Sequence, residues 1–311
     1  MRELLTMAVG FEKVFSALVG AREPRAVTSL ADFLSTLRGL GGAPFEAALE
    51  GGALADRVGY AFVAGIRAAF EVLFPGVSRA QIPALCATEA QGAHPRTITT
   101  RLDEATGAVT GEKRFATLAP IADVLLVLAK AGEEEGRNVL RVVRVDPHAP
   151  GVRIEPMPEL AFAPEVPHAT IVFEGAPVDG VLEGDGFERY VKPFRTLEDV
   201  HVMAAILAYV TVEARARRWP QAVVEDALGA IASLRGISEL APLDPSAHVA
   251  LAGALRASRG VLEAVDRCFA GAPSDDASKR WARDRALASV AERARGQRLE
   301  VAWRRLLSQD R

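Results

Sequence analysis

Thr88-Glu89-Ala90-Gln91-Gly92 opens a stretch in which the character of the chain changes. Thr110-Gly111-Glu112-Lys113-Arg114-Phe115-Ala116-Thr117 follows, then Ala122-Asp123-Val124-Leu125-Leu126-Val127, and later Val172-Phe173-Glu174-Gly175-Ala176-Pro177-Val178. From residue 80 to 182, short β-rich runs alternate with turn residues. Asp123–Leu128 is a continuous apolar run of strand length, Asn138–Val145 is another, and Val152–Met157 and His168–Phe173 come next. Thr106-Gly107 and Thr110-Gly111 punctuate a hairpin candidate. Strands spaced this way predict an antiparallel sandwich or barrel rather than βαβ units.

On either side the pattern is helical. Before it, Leu4, Leu5, Val9, Phe11, Val14, Phe15 and Leu18 share one helical face. Thr28 precedes a second helix carrying Leu30, Phe33, Leu34 and Leu37, which Gly39, Gly41 and Gly42 stop. The strongest helix pattern spans Ala53 to Phe74, and its small residues predict close helix–helix packing before Pro75-Gly76 ends it. After the sheet, helices are expected at Val200–Trp219, Gln221–Leu234 and Ala247–Phe269. A last, basic one is expected at about Asp276–Leu307, its arginines pairing within the helix with Glu292 and Glu300. The expected class is α+β, in three parts: a helical segment at 1–79, a central β-domain at 80–190 and a C-terminal helical bundle at 191–311.

The chain has 311 residues, 50% hydrophobic and 25% charged, enough for a large core or for two or three packed sub-domains. A formal charge of −3 gives no field that would recruit nucleic acid or an anionic lipid surface, and 6% aromatic content argues against stacking on single strands. Two distant cysteines, Cys86 and Cys268, suit a reducing, cytoplasmic setting. No apolar run reaches the length of a membrane span. The five histidines show no metal-ligand spacing, and GxSxG, P-loop and strand-linked GxGxxG patterns are absent. Glu133-Glu134-Glu135 reads as a solvated turn between two strands.

Thr88–Gly92 and the three segments after it resemble those of the acyl-CoA dehydrogenase family. Thr88–Gly92 is similar to T-E-P-x-x-G, Thr110–Thr117 to N-G-x-K-x-W-I-T, Ala122–Val127 to A-D-x-x-x-V, and Val172–Val178 to V-x-F-x-x-V-x-V. Leu182–Gly186 is similar to the L-G-x-x-G-x-G that follows. The family's order of parts, helices, β-domain, helical bundle, is also the order expected here. The resemblance implies a flavoprotein that binds FAD and oxidises an acyl-CoA thioester at its α,β-carbons, with flavin N5 as hydride acceptor. It implies that Thr88, Gly92, Phe115 and Thr117 line the isoalloxazine ring, Phe115 standing in for the tryptophan. The residues alone allow a plainer reading, of threonines in strands and a core phenylalanine. It further implies a homo-oligomer in which an arginine near the end of the first long C-terminal helix completes a neighbour's cofactor site. Arg215, Arg217 and Arg218 are available, and Arg215 is the one assigned.

Two glutamates fall where the family places its proton acceptor. Glu292 follows Arg283-Asp284 at the matching spacing, although Arg293 replaces the glycine after it. Glu198, in Leu197-Glu198-Asp199, stands at the alternative place. There Thr196 is expected to cap the helix, the helix dipole to favour the carboxylate, and His201 to share its face and tune it. Other departures point the opposite way. The family's G-S-D is Gly92-Ala93-His94 here, the N-terminal region is short, and Ala270–Asp276 has no glycine-rich pyrophosphate segment. These features suit the alternative of a catalytically degenerate member acting as a binding or assembly protein.

Overall fold

The computed structural model describes residues 2–20 and 26–309, with 2–9 and 309 described by backbone only, so the apolar face expected at Leu4, Leu5 and Val9 lies outside the described residues. The chain divides into two compact units. One comprises Met1–Val72, Ala161–Ala163 and Thr196–Arg311, and the other Leu73–Leu160 and Pro164–Arg195.

The helical unit begins with α1 (Arg2–Val19), α2 (Leu30–Arg38), α3 (Pro44–Leu54) and α4 (Val58–Leu73). Ser29, not Thr28, caps α2, its Oγ accepting the Asp32 N–H at 3.1 Å. The helix expected from Ala53 begins at Val58, and Ala53 and Leu54 instead end α3, a helix that was not expected. Asp56 lies in the break between them, its carboxylate accepting the Val27 N–H (3.2 Å) and pairing with the Arg57 guanidinium (2.7 Å). Then come α5 (Lys192–Ala216), α6 (Gln221–Ser238), α7 (Pro245–Ala270), α8 (Asp276–Asp284) and α9 (Glu292–Gln309). The close packing read from small residues is present: a Cβ on Gly65 of α4 would lie 2.4 Å from the Val202 Cα of α5. The last basic helix is broken where Asp284 turns inward, fully buried, to accept the Ala163 N–H at 2.8 Å, and a 3-10 turn (Arg285–Ser289) leads into α9.

The start of α5 also differs from expectation. A π-helical turn (Phe187–Val191) runs directly into α5, and Asp185 Oδ1 accepts the N–H groups of Phe187 (2.9 Å) and Glu188 (2.7 Å). Thr196 is therefore a buried residue inside the helix, not its cap. Glu198 lies well beyond the first turn, where the dipole argument no longer applies.

The second unit is one sheet of β1 (Pro83–Cys86), β2 (Arg101–Asp103), β3 (Ala108–Thr117), β4 (Val124–Glu134), β5 (Arg137–Val145), β6 (Val152–Pro156), β7 (His168–Pro177) and β8 (Gly180–Val181). The order is β6-β7-β3-β2-β4-β5-β8, with β1 added on β4. Pairing is antiparallel except that β1 and β2 run parallel to β4. Alternate residues of β4, β5 and β7 (Leu125, Val127, Val143, Val145, Ile171, Phe173) fill the core, which strict period-2 geometry requires. Leu126 and Leu128 on the opposite face of β4 are buried as well, the reason that strand reads as an unbroken apolar run. Gly107 forms the β2–β3 turn, whereas Gly111 is not in a turn. It sits inside β3 at a register shift, at φ 146°, where a Cβ would meet the Thr100 Cα at 2.6 Å. Glu133 and Glu134 end β4, and Glu135-Gly136 make the turn into β5.

Candidate functional site

Glu89 organises the loop after β1. Its carboxylate is 6% exposed and accepts four hydrogen bonds: Thr99 N–H (2.8 Å), Thr99 Oγ1 (2.6 Å), Thr100 N–H (3.0 Å) and Lys113 Nζ (2.7 Å). Three stretches distant in sequence are thereby fixed to one another. Burial alone would raise the Glu89 carboxyl, but the Lys113 charge and the hydrogen bonds outweigh it and hold the group at about 2. Burial pulls the Lys113 ammonium down, opposed by Glu89. The same loop closes on itself through paired backbone bonds of Glu89 and Gly92, both 2.9 Å, with Gly92 at φ 97°.

That frame presents a specific surface. The Arg114 N–H donates to Thr88 O at 2.8 Å, which sets Thr88 beside the next residue, Phe115. Phe115 is 55% exposed and held at φ 54°, at an irregularity of β3 between Lys113 and Ala116. An aromatic residue there stores about 1–3 kcal/mol of backbone strain. Thr88 and Thr117 are half-buried, and among the described residues neither hydroxyl has a protein partner. An exposed ring and two unspent hydroxyls suit a flat, apolar group with a polar edge. Nothing lies within 4 Å of where a Cβ on Gly92 would be, so that side of the loop is open. Where the family's G-S-D is altered, His94 Nδ1 accepts the Arg96 N–H (3.3 Å) and starts a short 3-10 turn.

In the helical unit the two candidate carboxylates differ. Glu292, at the start of α9, is paired with Arg259 of α7 at 2.7 Å and its side chain is 50% exposed. Among the described residues no side-chain ion pair within α9 joins its arginines to Glu292 or Glu300: Glu292 is taken by Arg259, and two of the arginines reach α5. Arg295 clamps Asp199 of α5 through Nε (2.9 Å) and Nη2 (2.7 Å) and donates to Ala288 O (2.9 Å), and Arg298 joins it on the other Asp199 oxygen. Glu198 is half-buried next to this clamp. His201 is fully buried, its Nδ1 bonded to Leu197 O at 2.7 Å and its ring edge-on to Phe45, so its polar contact is with the backbone. Burial pushes it down to about 4.

At the end of α5, Arg217 is consumed by Glu213 (2.7 Å) and Asp275 (2.8 Å) and stacks over Phe269, leaving Arg215 and Arg218 exposed. Asp275 also makes the capping box of α8, so the segment before α8 is committed to a helix start. No cluster of metal-ligating side chains occurs among the described residues, and no helix there is long and apolar enough to cross a membrane. Cys86 and Cys268 are both free.

Residues 84–176 match the family model described as acyl-CoA dehydrogenase, middle domain. Solved structures extend the likeness to the whole chain. Butyryl-CoA dehydrogenase from Megasphaera elsdenii superposes with a TM-score of 0.66 at 14% identity, over 97% of this chain and 96% of that one. The fold is that of the acyl-CoA dehydrogenases. FkbI, described as serving biosynthesis of a methoxymalonyl extender unit, gives 0.66 at 18% identity over 99% of both chains. PigA with FAD and proline gives 0.63 at 16% identity over 97% of both. No curated protein sequence matches the chain. Of the positions that set the acyl-CoA dehydrogenase β-domain here, the Glu89–Lys113 pair was missed as a pair by sequence reading, although both residues lie inside the two motifs that carried the resemblance. The Asp199 clamp had no such signal, since its arginines are about a hundred residues away.

Proposed function

We propose that the protein is an FAD-dependent dehydrogenase of acyl thioesters, built as a homo-oligomer. The observation that carries this reading is the surface on the β-domain where strained, exposed Phe115 stands beside Thr88, with the Thr88 and Thr117 hydroxyls unspent. In this reading Phe115 packs on the face of the flavin ring. Thr88 and Thr117 bond its polar edge, the side-chain-free space at Gly92 leaves room for it, and exposed Arg215 meets phosphate on a neighbouring subunit's cofactor. When bound, FAD supplies the electron acceptor for the α,β-oxidation. The chain's own contribution is removal of the α-proton, which needs a desolvated carboxylate. We assign it to half-buried Glu198 rather than Glu292, whose side chain is 50% exposed.

The Glu292–Arg259 pair also favours a second reading, a protein that keeps the fold for binding or assembly without turnover. A visible spectrum of the purified protein, as isolated and after addition of FAD, separates these from the start. Bound flavin, with acyl-CoA turnover lost in Glu198→Gln and kept in Glu292→Gln, supports the enzyme. Flavin without turnover supports the second reading, and no flavin under either condition overturns the first.

A further inference from the structure

The face of α5 that carries Glu198 is closed one turn further along. Glu198, Val202, Ala205 and Tyr209 follow one another at i, i+4, i+7 and i+11, a single stripe of the helix. Glu198 is half-buried, and every residue from Asp199 to Ala214 is buried. What covers the stripe beyond Glu198 is backbone. α4 lies on it at Gly65, where a Cβ would come within 2.4 Å of Val202 Cα and 2.7 Å of His201 O. α3 lies on it at Gly52, where a Cβ would come within 2.2 Å of Ala205 O and 2.7 Å of Ala205 Cα. The two covering helices are as close to each other at Gly51, where a Cβ would be 2.6 Å from Ala64 Cβ. Non-bonded carbons rest at about 3.5–4.0 Å. Not one methyl group, therefore, fits between these helices and α5 at either place.

We propose that the acyl group of the substrate is short, and that α3 and α4 set the limit. The inference rests on the reading of Glu198 as the proton acceptor. The carbon it deprotonates is next to the thioester carbonyl, so the rest of the acyl chain continues from that carbon beside the same helix face. Val202 is one turn away, about 6 Å along the axis. Past it, a longer chain must either part α4 and α3 from α5 or turn away from the helix. Parting the helices breaks close-packed contacts along a buried face, and turning away forfeits burial of the added methylenes. Val202, the first side chain on the stripe after Glu198, is then the residue that gauges chain length. Its β-branched side chain is stiff, which suits a fixed stop.

Oxidation of butyryl-CoA, octanoyl-CoA and palmitoyl-CoA by the flavin-loaded protein, with a dye as final electron acceptor, tests the limit. Calorimetric binding of S-butyl-CoA and S-octyl-CoA tests it without turnover, because these thioethers lack the carbonyl that acidifies the α-carbon. The kcat/KM is expected to fall by about tenfold or more from butyryl-CoA to octanoyl-CoA, and to fall again for palmitoyl-CoA. S-butyl-CoA is expected to bind more tightly than S-octyl-CoA. Val202→Ala trims the gauge and should narrow the octanoyl penalty, with circular dichroism and flavin content showing that the variant is folded. Octanoyl-CoA or palmitoyl-CoA turned over as well as butyryl-CoA overturns the proposal and leaves the enzyme reading intact, as does S-octyl-CoA bound as tightly as S-butyl-CoA. An unchanged penalty in folded Val202→Ala overturns the role of Val202. Absence of turnover with all three thioesters defeats the enzyme reading, and this proposal with it.

Discussion

The Lys113 ammonium lies 2.7 Å from the Glu89 carboxylate, with the lysine fully buried and the glutamate nearly so. Removing either partner strands a charge in the interior. Glu89→Gln or Lys113→Met should cost about 3–5 kcal/mol, and the combined Glu89→Gln/Lys113→Met much less than the sum. Denaturant unfolding of the three variants measures this. The pair also has a pH signature. Glu89 sits at about 2 in the fold against an ordinary 4.5, so its stabilisation is complete above about 4.5 and is lost as pH falls toward 2. Additive single-variant costs would show the pair is not coupled.

His201 gives a second window at higher pH. It is pushed from 6.5 down to about 4 by burial, so between these values the unfolded chain takes up a proton that the folded chain refuses. Stability should fall as pH drops through that window, by up to about 3 kcal/mol, and level off below it. His201→Leu should remove this slope while leaving the Glu89 one. Thermal unfolding at a series of pH values distinguishes the two; an unchanged slope in the variant would assign it to other groups.

Asp199 and Glu292 both pair with arginines of another helix but should respond differently to mutation. Asp199→Ala leaves Arg295 and Arg298 without their buried counter-ion and should cost about 3–5 kcal/mol. Arg259→Ala breaks a half-exposed pair and should cost about 1 kcal/mol or less. Equal losses in chemical denaturation would contradict the difference in burial.

Phe115 trades stability for exposure. Phe115→Gly relaxes the positive φ and removes a ring that is 55% exposed, so the folded state should gain about 0.5–1 kcal/mol. Flavin affinity, if the ring packs on the cofactor, should fall by about tenfold or more at the same time. Calorimetry and flavin titration on one sample test both halves.

The helix–sheet–helix order was legible because long periodic runs and continuous apolar runs carry it, as in α7 and β4. What escaped was set by partners far along the chain. Nothing near Asp56 announces that its carboxylate will take the Val27 N–H, or near Asp284 that it will turn toward Ala163. That Asp185 takes the first N–H groups of the helix that becomes α5 was hidden because the π turn that follows blurs the helical period. At the candidate site, Thr88 and Phe115 belong to separate motifs, and the backbone hydrogen bond from Arg114 to Thr88 that brings these motifs together is encoded by no local pattern. Glu292 was expected inside one long helix from Asp276; the break after Asp284 puts it at the start of α9 instead, and its partner Arg259 belongs to a different helix.

The helical unit is assembled from three pieces of chain, with Ala161–Ala163 held by Asp284 and Gly65 seated on Val202. During synthesis, then, the first four helices are on hand long before the segments they pack against. The sheet, drawn almost entirely from residues 73–195, closes its contacts over much shorter loops. The nascent chain should pass through a stage in which the strands are settled while apolar faces of α3 and α4 still wait for α5, the interval in which ribosome-associated chaperones have most to protect.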